Sequence, residues 1–212
     1  MSLLRLYRHL PNLERQVAHL RSRNRQLAVE NKRLQELVLQ DPLTGLLNRR
    51  GFDQLFGRMF AAALRHGRNL TIAIVDIDHF KKINDERGHL AGDQALKTLG
   101  RLLASAVRTD DLVARWGGEE FVLVFNETPL KNAVVPLERL RQKVEAAEVA
   151  YLGRTIKFTI SAGYTAYEPT TVPNILRREA AEVYKEQLLA KADRAMYAAK
   201  AAGKNCTRAF GR

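Results

Sequence analysis

A heptad repeat fills the first forty residues of this chain and then stops. Leu10, Val17, Asn24, Asn31 and Val38 recur every seven residues, and Leu13, Leu20, Leu27 and Leu34 follow three places behind them, with Leu6 ahead of the series. Leucine at every d position beside a mixed a series, sustained without a glycine, is the pattern of a coiled coil. Pro11 lacks an amide hydrogen and is tolerated only near a helix start, so the continuous helix is placed from about Pro11 to Gln40. An antiparallel pairing would set Asn24 and Asn31 against leucines. A parallel, in-register homodimer sets each asparagine against its twin, which specifies register at some cost in stability. The alternative is one amphipathic helix lying on its own domain.

The repeat ends at QDPLTGLLNRRGF, residues 40–52, where Pro42 and Gly45 break the helix. The expected organisation is therefore a dimerisation helix at 1–40 and a globular domain at 41–212. Helix patterns follow at about 50–66, 91–107, 131–147 and 183–202. Strand patterns lie at about 70–77, 112–116, 119–126 and 155–167. Leu70 to Val75 is nearly continuous in apolar residues, as a central strand covered on both faces would be. Such alternation implies an α/β (α+β) fold, a mixed central sheet flanked by helices. Residues 168–182, with Pro169 and Pro173, read as an irregular connection.

Composition narrows the function classes. The chain has 212 residues, of which 46% are hydrophobic and 27% charged, as in a soluble globular protein. No apolar run approaches the roughly 20 residues that span a bilayer, and no signal-peptide pattern opens the chain. The single cysteine, Cys206, excludes an intramolecular disulfide and a cysteine metal cluster, which suits a cytoplasmic location. The formal net charge of +12 favours polyanionic partners: nucleic acid, nucleotide phosphates or a membrane surface.

The stretch RWGGEEFVLVF, residues 115–125, places Glu119 and Glu120 at the mouth of a buried strand. Gly117 and Gly118 read as a tight hairpin turn between two strand patterns. Two acids solvated at an exposed turn are the plain reading; buried carboxylates would need a cation. Asp76 stands at the carboxyl end of the apolar strand, where open sheets place ligands. Together with a hairpin carboxylate it can bind Mg²⁺, which takes hard oxygen ligands and completes its shell with water and phosphate. Asp78, just before HFKKIN, suits a helix N-cap. Lys81 and Lys82, inside the following helix, supply cations for phosphate. Asn84 and Asp93 can together read the edge of a guanine, or else form a helix-end hydrogen bond and an N-cap. No glycine–lysine P-loop is present.

These segments resemble the GGDEF family, the diguanylate cyclases, in the GGEEF form. The likeness runs through DPLTGLLNRRGF, DIDHFKKINDERGHLAGD, RWGGEEF, ISAGY and ADRAMYAAKAAGKN, roughly residues 41 to 210. It implies a sheet like that of the nucleotidyl cyclases and the polymerase palm, and a reaction joining two GTP into cyclic di-GMP with release of two pyrophosphates. Residue by residue, it implies Asp76, Glu119 and the Ile77 carbonyl as ligands of Mg²⁺ (or Mn²⁺), with Glu120 assisting the metal or deprotonating the attacking hydroxyl. Asn84 and Asp93 would hold guanine, with His89 nearby. Phe80 and Lys81 belong to the substrate site, Lys81 neutralising phosphate charge. Lys200, and Lys204 four residues later on the same helix face, would reach the β- and γ-phosphates. The family often has arginine where Lys204 stands, and lysine keeps the charge but loses the fork geometry. Each protomer would present one GTP, so two sites must face each other and the coiled coil becomes part of the mechanism.

Arg108-Thr109-Asp110-Asp111 matches the family's RxxD inhibitory site, where product binds; the alternative is a helix-terminal surface ion pair. Two further readings compete with the enzyme. One is a catalytically silent receptor for GTP or cyclic di-GMP. The other is a basic-zipper DNA-binding protein, since the first forty residues carry eight Lys/Arg against Glu14, Glu30 and Glu36. Those basic residues are scattered through the heptads rather than blocked ahead of them, which argues against nucleic acid as a partner. No membrane contact is expected of this chain. A coiled coil beginning almost at residue 1 suggests a fragment, or the partner of an upstream sensory module.

Overall fold

The computed structural model describes residues 3–37, 39–169 and 178–211. The chain divides into two units, Met1–Val38 and Leu39–Arg212. The first is one helix, α1 (Leu3–Leu37). It runs through Pro11 instead of starting there: one lost amide donor does not outweigh the helical preference of the leucines and arginines ahead of it. In the single chain Val17, Leu20, Leu27 and Leu34 are 41, 59, 49 and 56% exposed. Val38, the last position of the a series, lies outside the described residues.

The second unit runs α2 (Arg49–His66), β1 (Leu70–Ile77), α3 (Phe80–Arg87), α4 (His89–Ala106), β2 (Leu112–Gly117), β3 (Glu120–Asn126) and α5 (Leu130–Glu145). It continues β4 (Val149–Tyr151), β5 (Arg154–Ile156), β6 (Ile160–Tyr167), α6 (Arg178–Ala201) and β7 (Thr207–Ala209). Five strands form a mixed sheet in the order β2-β3-β1-β6-β7, antiparallel except for the β6–β7 pair. The strand expected at 155–167 is divided. Its first residues turn back on β4 as a separate hairpin, and β6 begins at Ile160. Of the irregular connection expected at 168–182, residues 170–177 lie outside the described residues.

All eight residues of β1 are buried, so its alternating side chains feed two cores. Ala73, Val75 and Ile77 join Leu96, Leu99 and Leu103 of α4 and Leu137 and Leu140 of α5. Leu70, Ile72 and Ile74 join Phe52, Phe56 and Phe60 of α2 and Leu188, Ala192 and Met196 of α6. The three phenylalanines, at i, i+4 and i+8, stack along α2 with centroids 5.4 and 5.6 Å apart. Gly163 lets β6 meet α6 backbone to backbone. A Cβ there would come within 2.0 Å of the Met196 nitrogen and 2.2 Å of the Ala192 oxygen. That contact sets the height of α6 over the sheet, and with it the position of Lys200. Across α2 and α6, Lys185 is paired with Asp53 at 2.8 Å.

Candidate active site

β1 and β3 lie in antiparallel register with Asp76 opposite Glu120. Because side chains two residues apart share a face, Asp76 continues the row of Ile72 and Ile74 toward α6. The residue is 3% exposed. Oδ2 lies 2.9 Å from Lys200 Nζ, while Oδ1 is buried and accepts no hydrogen bond. Burial raises the Asp76 carboxyl above its ordinary range, Lys200 opposes the rise, and Asp78 adds to it. Glu119, in the turn, and Glu120, at the start of β3, are raised in the same sense, each by burial first and then by the Asp76 charge. Asp193 of α6 adds to the rise at Glu120. The plain reading of two solvated turn acids therefore does not describe them: both are partly buried in a negative field.

The hairpin turn has the required glycine, Gly118 at φ 43°. Arg115 holds it in place. Its guanidinium donates to the Gly118 carbonyl at 2.8 and 3.1 Å and meets Asp41 at 3.2 Å. Asp41 in turn accepts from the Thr44 amide and hydroxyl, at 2.8 and 2.7 Å. The DPLT turn thus braces the turn bearing Glu119. The Asp–Thr spacing in DPLT was the one visible signal of this brace; its arginine partner 74 residues away was not.

Hard oxygens from Asp76, Glu119 and Glu120, one of them buried and orphaned, suit a divalent cation. Among the described residues no three His, Cys, Asp or Glu side chains close around one metal position. The donor set fits an ion that takes few carboxylates and the Ile77 carbonyl, leaving positions to water and phosphate.

Asn84, in α3, presents a buried and unpartnered Oδ1. It abuts Gly92 of α4, where a Cβ would lie 2.0 Å from Asn84 Oδ1 and 3.1 Å from the Phe80 ring. Asn84 therefore makes no helix-end hydrogen bond with that oxygen. Asp93 is the fifth residue of α4 and not its N-cap. His89, the first residue of α4, and Lys81 on α3 are exposed. Phe80 is buried at the α3 start.

Two expectations are corrected. Asp78 caps no helix: the residue before α3 is His79, in the left-handed conformation. Asp78 is instead buried and accepts from Ser161 Oγ and Thr159 Oγ1, both at 2.7 Å, and from the Asn205 amide at 3.0 Å. A carboxylate facing three donors, from the start of β6 and from the turn after α6, is better satisfied there than at a single helix amide. Lys204 does not share a helix face with Lys200, because α6 ends at Ala201 and Gly203 (φ 113°) and Lys204 (φ 65°) turn the chain away. Glycine in AAGK was the signal for that C-terminus.

Arg108 and Asp111 line a cavity of about 300 Å³ with Phe125, Glu127, Asn132 and Arg139. Asp111 caps the local turn, accepting from the Arg108 amide at 2.8 Å and the Asn126 amide at 2.9 Å. No Arg108–Asp111 ion pair forms, so the surface-pair alternative is not what the structure contains among its described residues.

With this fold and this site in view, the class is clear: residues 38–206 match the family described as diguanylate cyclase, GGDEF domain, and the chain belongs to that family. The diguanylate cyclase DgcP of Pseudomonas aeruginosa is 42% identical over 168 residues, covering 79% of this chain and 23% of that protein. The GGDEF domain of DgcB from Caulobacter crescentus, solved in complex with c-di-GMP, superposes with TM-score 0.72 at 29% identity, covering 82% of this chain and 94% of that one. Diguanylate cyclase SiaD from Pseudomonas aeruginosa, solved with its activator SiaC, gives TM-score 0.72 at 33% identity, over 97% of this chain and 74% of that one. This chain spans less than half the length of the curated relatives it matches. Among the described residues no helix is long and apolar enough to cross a membrane.

Proposed function

We propose that this chain is a diguanylate cyclase: it condenses two GTP into cyclic di-GMP and releases two pyrophosphates. The observation that carries this is the buried, half-paired Asp76 facing Glu120 and Glu119 at the end of a central strand, three carboxylates around the single cation of Lys200. Asp76, Glu119, Glu120 and the Ile77 carbonyl would hold Mg²⁺ or Mn²⁺, which when bound supplies charge neutralisation on the triphosphate. Asn84 and Asp93 hold the guanine edge, with His89 and Phe80 beside it. Lys81, Lys200 and Lys204 take the phosphates, Lys200 exchanging its Asp76 partner for phosphate oxygens. Glu120, kept less acidic than usual, accepts the proton of the attacking 3′-hydroxyl. The intact Asp76, Glu119, Glu120, Asn84 and Asp93 favour turnover over a silent receptor.

One protomer presents one GTP, so the reaction needs two copies face to face. The exposed Val17, Leu20, Leu27 and Leu34 of α1 support a parallel homodimer through residues 1–40, with residues 41–212 as the catalytic domain. That pairing raises the effective concentration of one catalytic domain for its twin. Product, with two guanines and two phosphates, matches the Arg108–Asp111 cavity in charge and hydrogen-bonding sense, which supports feedback inhibition there. Product analysis after incubation with GTP and Mg²⁺ tests the activity. Bound GTP with no cyclic dinucleotide formed would establish the receptor reading instead.

A further inference from the structure

We infer that Asn205 and Asp78 are positioning residues that fix Lys204 for the nucleotide phosphates, acting through the backbone of the turn after α6; this rests on the reading above that Lys204 meets the triphosphate. Three successive residues of that turn have positive φ: Gly203 at 113°, Lys204 at 65° and Asn205 at 46°. Lysine has no intrinsic preference for the left-handed region, so its conformation persists only where the surroundings over-determine it.

The Lys204 amide closes the helix end onto the Ala199 carbonyl at 3.2 Å, and Asn205 adds three further ties. Its amide donates to Asp78 Oδ2 at 3.0 Å. Its side-chain Oδ1 accepts from Arg141 Nη1 at 2.8 Å, and its Nδ2 donates to Glu145 Oε1 at 2.8 Å. Arg141 is itself fixed on α5 by Glu138 at 2.9 Å and Glu145 at 2.8 Å. Asparagine also tolerates the left-handed region better than other side chains. Asp78 is 3% exposed and tied to Ser161 and Thr159 of the β6 side. It stands two residues beyond Asp76, so the clamp references Lys204 to the same strand end that carries the carboxylates. None of these clamp residues needs to touch the nucleotide; their effect on it passes through Lys204.

The test is a double-mutant cycle on the full chain with a non-hydrolysable GTP analogue, GMP as the control ligand, and fixed Mg²⁺. Asn205→Ala should weaken binding of the triphosphate analogue about tenfold, within the loss that misplacing a contact by about an ångström can cause. GMP affinity should be unchanged, and Lys204→Ala/Asn205→Ala should bind the analogue no more weakly than Lys204→Ala alone. Asn205→Gly keeps the left-handed backbone while losing both side-chain bonds, and should fall between wild type and Asn205→Ala. Amide hydrogen exchange over residues 203–206 should quicken in Asn205→Ala and Asp78→Asn, whatever the turnover. Additive losses in the cycle, equal weakening of GMP, or unchanged exchange would overturn the inference. Cyclic dinucleotide formation is measured separately. A non-additive cycle in a chain that makes no product would overturn the cyclase reading and leave the clamp standing.

Discussion

Asp76 has one carboxylate oxygen on Lys200 and the other on nothing, and the neighbouring Glu119 and Glu120 are raised by burial and by its charge. A site of this kind trades stability for function. Glu119→Gln and Asp76→Asn should fold normally yet lose at least ~10²-fold in Mg²⁺-dependent turnover, checked by initial rates at saturating metal. A raised carboxyl contributes stability that is complete below its unfolded value, near pH 4, and lost as pH rises through its folded value. Metal-free Glu119→Gln should therefore melt about 2 °C higher than wild type at pH 7, and the gain should vanish toward pH 4. Asp41 runs the other way. Despite burial, Thr44 and Arg115 hold it below the usual range, so its contribution is present above about pH 4 and lost below it. Gly92→Ala should displace Asn84 Oδ1, raising KM for GTP about tenfold with kcat less affected, in steady-state assays. Asp76 was legible because an acid ending an apolar run has no structural excuse. The role of Asp78 leaves no local mark, since its three donors come from Thr159, Ser161 and Asn205, all more than eighty residues distant.

At the scale of elements, the long periodic segments were readable and the short ones were not. Leu70–Ile77 declares itself by an apolar run that only a doubly covered strand can use, and α2, α4, α5 and α6 by their stripes. The three-residue strands β4 and β7 carry too few residues for any period, and β7 is held by parallel pairing with β6, which leaves no local mark. The i, i+4 spacing of Lys200 and Lys204 suggests one helix face, but it runs past Gly203, where the backbone turns left-handed. The α1 helix offers its own test. Charged residues in place of Leu20 and Leu27 should dissolve the d layer and make specific activity strongly concentration-dependent, with sedimentation reporting the monomer. Leucine at Asn24 and Asn31 should tighten association while loosening register or dimer preference, visible in the same sedimentation runs.

For the whole molecule, the cavity of Arg108 and Asp111 and the site of Glu119 stand at opposite ends of β2 and its turn. Under the proposed feedback, a ligand in the cavity would restrain the domain without touching substrate, so inhibition by cyclic di-GMP should be non-competitive with GTP. Arg108→Ala should abolish it with initial turnover largely intact; progress curves with added product check this, and equal inhibition of both proteins would assign the cavity no regulatory role. In the proposed reaction the carboxylates of Asp76, Glu119 and Glu120 serve nucleotidyl transfer between two bound GTP molecules. The measurement closest to it is the product balance of wild type and Glu119→Gln incubated with GTP and Mg²⁺. Wild type should give cyclic di-GMP and pyrophosphate in a one-to-two ratio, and Glu119→Gln should give neither. Cyclic dinucleotide made at the same rate by both proteins, or GTP bound by wild type and returned unchanged, would rule out this role of the carboxylates.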